Sequence, residues 1–183
     1  MLGIAHLILG IKIIHQPDSF TLTQSHYINF LLDSYGMSNC KPVATPLIPI
    51  IHLEPATELE KKVFQLLKIN YQSAIGSLIY LSTTTRLDMS YSISALSQFL
   101  ENPGIMPWNL FLHVLKYLKG TSKFGLRYQK DLEKPIVAYS DEDWGNCTIT
   151  GRSTTGYLIK INDNLVILNP CKQPNVSLSS SEA

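Results

Sequence analysis

The spacing of hydrophobic positions changes once along this chain. Up to Gly120 the apolar residues that follow the first strands recur mostly at helical intervals, and beyond it they alternate. Gly10 to Ile14 is apolar and β-branched, Gln16-Pro17-Asp18-Ser19 carries turn chemistry, and Phe20 to Thr23 alternates, which predicts a hairpin. A helix follows over Gln24–Tyr35, with Tyr27, Ile28, Leu31, Leu32 and Tyr35 on one stripe and Gly36 as its stop. Pro42, Pro46, Pro49 and Pro55 turn residues 38–55 into an extended strap. Further helices are expected over Glu58–Leu67, Asn70–Leu81 and Asp88–Leu100, and another with Pro107 at its first position, where a missing N–H costs nothing. Phe111, Val114, Leu115 and Leu118 give that last helix its stripe, and Gly120 ends it. Strands are expected over Gly125–Tyr128, Ile136–Ser140, Gly156–Ile161 and Leu165–Leu168, so the best domain junction lies near residue 120.

Both ends carry a signal. Met1–Ile14 is apolar but lacks a basic leader region and a small-residue cleavage site, is interrupted by Lys12, and is too short to cross a bilayer. It reads as a buried strand that begins abruptly, in a chain that looks cut rather than started. At the other end Ser179-Ser180-Ser181-Glu182 fits a capping box and announces a helix.

Composition narrows the classes. A hydrophobic fraction of 45% with 16% charged residues fits a globular protein, and 183 residues suffice for one sizeable core or two partial ones. The net charge of +1 gives no general attraction to nucleic acid, so any such surface must be a local patch. Lys116, Lys119, Lys123 and Arg127 form the candidate, beside the ordinary alternative of a solvated helix face. Cys40, Cys147 and Cys171 stand far apart without ligand spacing, which suggests reduced thiols, an intracellular setting (cytoplasmic or nuclear) and no metal site of their own. Tyr71, Tyr80, Tyr91 and Tyr117 fall at helical positions and are expected to pack, as is Trp144, and His113 reads as a structural histidine. Asn146-Cys147-Thr148 and Asn175-Val176-Ser177 match the glycosylation pattern in a chain with nothing else to suggest secretion.

Four groups of segments, taken in order, carry a resemblance to a known family. The first is Leu9-Gly10-Ile11-Lys12-Ile13, Thr23-Gln24-Ser25-His26-Tyr27-Ile28, and Met37 to Val43 with Thr45-Pro46-Leu47. The second is Tyr71-Gln72-Ser73-Ala74-Ile75-Gly76-Ser77-Leu78-Ile79-Tyr80-Leu81 with Thr85-Arg86-Leu87-Asp88, and the third is Leu115-Lys116-Tyr117-Leu118-Lys119-Gly120-Thr121. The fourth runs from Tyr139-Ser140-Asp141-Glu142-Asp143-Trp144-Gly145 through Arg152-Ser153-Thr154-Thr155-Gly156-Tyr157 and Lys172-Gln173-Pro174 to Leu178-Ser179-Ser180-Ser181-Glu182-Ala183.

Together these segments resemble the copia-type retrotransposon Pol polyprotein, and the resemblance implies an α+β fold. Residues 1–120 would be the end of a reverse transcriptase, with palm hairpin, thumb and connection helices, and 121–183 a truncated RNase H-like mixed β-sheet. It also implies Mg²⁺ as the parent cofactor, with none expected to be bound by this fragment, and an RNA–DNA hybrid or template–primer as the parent partner, with no membrane. The family's paired polymerase aspartates would lie upstream, and no Asp-Asp occurs in this chain. Asp141 matches the first metal-binding aspartate of the RNase H site. The second ligand, a glutamate, would follow directly after Ala183, and two aspartates later still. Glu182 sits two residues before that position, about 200° away around a helix, so it is a poor substitute. Asp141 and Asp143 fall on one side of a strand if the strand reaches that far, enough for a weak, substrate-dependent Mg²⁺ contact. Without the resemblance, Asp141, Glu142 and Asp143 read as a solvated strand end.

Three departures stand out: Arg86-Leu87-Asp88 for Arg-Pro-Asp, Pro107-Trp108 for His-Trp, and Leu168 to Gln173 for a Trp-x-Ser-Lys-Lys-Gln-like stretch. They read as drift in an element no longer held to function. The expected product is a Pol fragment inactive as it stands, the alternatives being a hybrid-binding module or one part of an interrupted gene. A sheet with one face uncovered would favour self-association.

Overall fold

The computed structural model describes residues 3–48, 56–130, 133–143, 151–177 and 179. Trp144, Cys147, the first glycosylation pattern, Pro49, Pro55 and the Glu182 end of the capping box lie outside the described residues. The chain divides into two compact units, residues 1–127 and 128–183.

The first unit opens with three antiparallel strands, β1 (Leu7–Ile8), β2 (Ile11–Gln16) and β3 (Ser19–Thr23). Leu9 (φ 49°) and Gly10 (φ 77°) make the β1–β2 turn, with positive φ at both central positions. Pro17-Asp18 makes the β2–β3 turn, as the sequence predicts, and Ser19 Oγ donates to Gln16 Oε1 at 2.8 Å. The expectation of a buried N-terminal strand does not hold. Leu7 is 67% and Leu9 84% exposed, and β2 contains no buried residue. An apolar strand reads the same whether or not the described part of its own chain covers it.

Five helices follow: α1 (Ser25–Ser34), α2 (Glu58–Leu66), α3 (Tyr71–Thr84), α4 (Ser90–Ser97) and α5 (Ile105–Gly120), with a 3-10 turn at Leu87–Met89 before α4. Their apolar stripes meet in one core that includes Ile28, Leu32, Ile75, Leu78, Leu96, Phe111 and Leu115. Gly36 (φ 66°) follows α1 as its stop. Thr57 and Glu60 form a reciprocal capping box that starts α2, and Asn70 Oδ1 accepts from the Ser73 N–H to start α3. Helix α3 runs past Leu81 because Ser82, Thr83 and Thr84 turn their hydroxyls back onto Ile79 and Tyr80 carbonyls at 2.6–3.0 Å. Pro107 is the third helical residue of α5, not the first; the first bond reaching back is Trp108 N–H to Gly104 O, so the proline still displaces no partner.

The strap is anchored on α5. His113 Nε2 lies 3.0 Å from Thr45 O, and a Cβ on Gly120 would stand 3.0 Å from Pro42 Cβ. His113 is therefore the structural histidine expected. Tyr71 and Tyr117 are buried and Tyr80 is half-buried, but Tyr91 is 48% exposed, against the expectation that it packs. Strand β4 (Leu126–Gln129) joins the first sheet in the order β1-β2-β3-β4. Gly125 makes that approach possible: a Cβ there would lie 2.2 Å from Leu22 O.

The second unit is an antiparallel meander of β5 (Val137–Asp143), β6 (Thr154–Ile161) and β7 (Asn164–Lys172), in that order. Asn162 (φ 50°) and Asp163 (φ 59°) form the two-residue β6–β7 turn. Asp163 is gripped by Lys134 at 2.7 Å and Lys160 at 3.3 Å, and those bonds hold its carboxyl below the usual range. Registers place Val137, Tyr139, Leu158 and Leu168 on one face and Ala138, Tyr157, Ile159 and Ile167 on the other. Both faces are thus apolar, yet among the described residues of this unit only Ser153 is buried.

Candidate functional site

The carboxylates singled out by sequence lie at the end of β5. The strand extends through Asp143, so Asp141 and Asp143 share a face, both exposed, while Glu142 points to the other side. Gly156 is the cross-strand partner of Asp141 and Thr154 that of Asp143. Gly156 contributes no side chain beside Asp141 on that face. On the opposite face Gln173 ties the end of β7 down. Its Nε2 donates to Thr155 Oγ1 at 3.0 Å and Glu142 Oε1 at 3.3 Å, its Oε1 accepts from Ser177 at 2.9 Å, and its backbone N–H reaches Ser153 O. Arg152–Gly156 and Lys172–Pro174, separate in sequence, therefore meet at one corner. No group of three metal-ligating side chains occurs among the described residues. Cys40 and Cys171 are free thiols.

The cationic candidates occupy one stretch of chain. Lys116 and Lys119 stand three residues apart on α5, the spacing that puts side chains on a common surface. Lys123 lies in the turn after α5, and Arg127 is on β4 with Nη2 3.4 Å from Ser19 Oγ. Lys119, Lys123 and Arg127 are exposed and Lys116 is half-buried.

Sequence reading missed what lies beneath them. Arg86, only 1% exposed, donates through Nε and Nη2 to the two oxygens of Asp88, at 3.0 and 2.8 Å. Its Nη1 and Nη2 reach Thr121 O and Oγ1, at 3.1 and 2.7 Å. Tyr117 OH donates to Asp88 Oδ2 at 2.7 Å, and the guanidinium carbon lies 5.4 Å from the Tyr117 ring and 5.7 Å from the Phe124 ring. Burial alone would raise the Asp88 carboxyl. The bonds and charge of Arg86, with the Tyr117 hydroxyl, outweigh it and hold Asp88 below the usual carboxylate range. Burial, then Asp88, pushes the Tyr117 hydroxyl up. Leu87, the departure from the family's proline, is the first residue of the 3-10 turn that carries Asp88. The signal was present, since Tyr117 and Thr121 are four apart on one helix face, but nothing local pairs them with Arg86.

A second anchor ties the start of α1 to the end of α3. Gln24, 1% exposed, accepts from Thr85 Oγ1 at 2.7 Å and Thr84 Oγ1 at 2.5 Å. Residues of three separate resembling segments thus bind one another inside one unit.

No family model matches the chain. No solved structure matches it either. Curated relatives do. An uncharacterized mitochondrial protein of Arabidopsis thaliana is 35% identical over 181 residues, which cover 99% of this chain and 73% of that protein. The retrovirus-related Pol polyprotein from transposon TNT 1-94 of Nicotiana tabacum is 36% identical across 100% of this chain, and the one from transposon RE2 of Arabidopsis thaliana is 36% identical across 97%.

These relatives place the protein among retrotransposon-derived sequences. Within that class, its homologues over the whole chain are copia-type retrotransposon Pol polyproteins, at 34–36% identity. The chain spans 14% and 12% of the two polyproteins. Its mixed α and antiparallel β architecture agrees with the α+β class expected. Among the described residues no helix is long and apolar enough to cross a membrane.

Proposed function

We propose that the reverse transcriptase part expected over residues 1–120 extends to residue 127, that residues 128–183 are the opening strands of an RNase H-like domain, and that this polypeptide alone is catalytically silent. The observation that carries the reading is the placement of Asp141. It sits on the first strand of an antiparallel three-stranded meander, on one exposed face with Asp143 and opposite a glycine.

Magnesium, when bound, would activate water and neutralise the charge that develops on a cleaved phosphodiester. Asp141, with Asp143 beside it, fits one such ion, because Mg²⁺ accepts one or two carboxylates and fills its remaining positions with water and phosphate oxygens. A two-ion centre needs further carboxylates, and residues 1–183 supply neither the matching glutamate nor an Asp-Asp pair for polymerisation. The role left to this chain is to hold Asp141 at the strand end. The test is a chimera of this chain with the residues that follow its match in the tobacco polyprotein. It should cut the RNA strand of an RNA–DNA hybrid with Mg²⁺ and lose that activity on Asp141→Asn. A chimera whose cutting survives Asp141→Asn contradicts the assignment.

A second reading rests on a separate observation, the exposed series Lys119, Lys123 and Arg127 with Lys116 beside it. It makes the chain a non-catalytic module for RNA–DNA hybrids, binding through phosphate contacts that carry no sequence preference. Salt-dependent hybrid binding that the triple variant K116A/K119A/K123A loses supports it, and binding that the triple variant keeps sinks it.

A further inference from the structure

We infer that Arg86, Asp88 and Tyr117 are positioning residues for the cationic strip Lys119–Arg127, holding its backbone in a fixed path so that its side chains meet successive phosphates of a hybrid duplex together. The inference deepens the second reading above and rests on it.

Thr121 O accepts the Phe124 N–H at 2.9 Å, the bond that closes the turn containing Lys123. The same oxygen accepts Arg86 Nη1 at 3.1 Å, while Arg86 Nη2 holds the Thr121 hydroxyl. That hydroxyl in turn donates to Tyr117 O at 2.8 Å, one turn back in α5. A single buried guanidinium therefore grips both the end of the helix that carries Lys119 and the corner of the turn that carries Lys123. Asp88 fixes the guanidinium plane by its bidentate bond, and Tyr117 fixes Asp88. The far end of the strip is pinned independently, by the close approach of Gly125 to Leu22 and by Thr23 Oγ1 to Phe124 O at 3.5 Å. Arg127 follows on β4, in contact with Ser19.

Long cationic side chains on a loose turn lose conformational freedom on every phosphate contact they make. The same side chains on a fixed backbone lose less, so ordering the backbone in advance raises affinity without a new contact. Arg86 itself is buried and takes no part in binding. Its effect passes through Thr121, which makes the strip sensitive to substitutions that leave every surface charge in place.

The experiment measures binding of an RNA–DNA hybrid by fluorescence anisotropy between 50 and 200 mM salt, on the 183-residue chain. Each phosphate contact adds roughly 0.7–0.9 to the salt slope. Wild type should bind with a slope near three or four, and K116A/K119A/K123A should lose most of it. Tyr117→Phe and Arg86→Lys keep the net charge, yet should bind roughly tenfold more weakly with a slope about one unit shallower. Tyr71→Phe is the control, because it removes another buried hydroxyl bond, to Leu96 O at 3.0 Å, away from the strip. It should bind like wild type, which separates positioning from general loss of stability. Wild-type affinity and slope in both Tyr117→Phe and Arg86→Lys, or an equal loss in Tyr71→Phe, overturn this inference while leaving the second reading intact. No binding by wild type, or full binding by the triple variant, overturns both.

Discussion

Replacing Arg86 by leucine should be among the costlier single changes in the helical unit. The side chain is 1% exposed and donates hydrogen bonds at 2.7–3.1 Å to both Asp88 oxygens and to two atoms of Thr121. Removing one partner of a buried ion pair costs about 3–5 kcal/mol when the other is stranded. Here the penalty is smaller, because the Asp88 side chain is 38% exposed and water reclaims part of its solvation, and because Thr121 O keeps the Phe124 N–H. Leucine also restores some apolar contact beneath the Tyr117 and Phe124 rings. The net loss should be about 2–3 kcal/mol, or roughly 5–10 °C in Tm. Tyr117→Phe, which deletes one bond to the carboxylate, should cost about 1 kcal/mol. Urea unfolding followed by tryptophan fluorescence measures both, since Trp108 stacks on Phe111 inside this unit. The double variant Arg86→Leu/Asp88→Leu should recover about 1 kcal/mol or more, because no charge is left unpaired. A loss under about 0.5 kcal/mol for Arg86→Leu, or a double variant that costs the full sum, refutes the reasoning.

Three further outcomes follow from the same contacts. Asp88 is depressed in the folded chain, so its contribution is complete above the ordinary carboxylate range near pH 4 and fades as the pH falls through the folded value; the stability gap between wild type and Asp88→Asn should be open at pH 7 and close in acid, and a gap that widens on acidification contradicts it. Gly125→Ala forces a methyl to 2.2 Å from Leu22 O and should cost about 2 kcal/mol, roughly 4–8 °C in Tm, so an unchanged melt would show that β4 does not approach β3 this closely. Tyr139, Tyr157, Ile161 and Ile167 are each at least 39% exposed, so the chain should bind an apolar-surface dye and associate as its concentration rises; a dye-silent monomer at high concentration argues against an open sheet.

Much of the fold could be read from the sequence, because period and punctuation are local. The stripe Ile28, Leu31 and Leu32 ends at Gly36 in both sequence and structure, and the β6–β7 hairpin falls between the two apolar runs expected. The reading failed where the decisive partner is distant. Arg86 meets residues 31 and 35 positions away, Tyr80 OH meets Leu9 O, and the strand after Gly120 pairs with β3, more than 100 residues earlier. It also failed where apolarity was taken for burial, at Leu7, Leu9 and Tyr91. The Thr57–Glu60 capping box is local and legible in the sequence. Asp141 is singled out by the resemblance alone, and the alternation of β5 puts Asp143 on the same face.

Incubating the 183-residue polypeptide with an RNA–DNA hybrid and Mg²⁺ tests the central claim most directly, by following the RNA strand for cleavage. Intact RNA is the expected result, because hydrolysis needs two ions and the proposed pair Asp141 and Asp143 would fit one at most. Magnesium-dependent cleavage by this polypeptide that disappears in Asp141→Asn would contradict it.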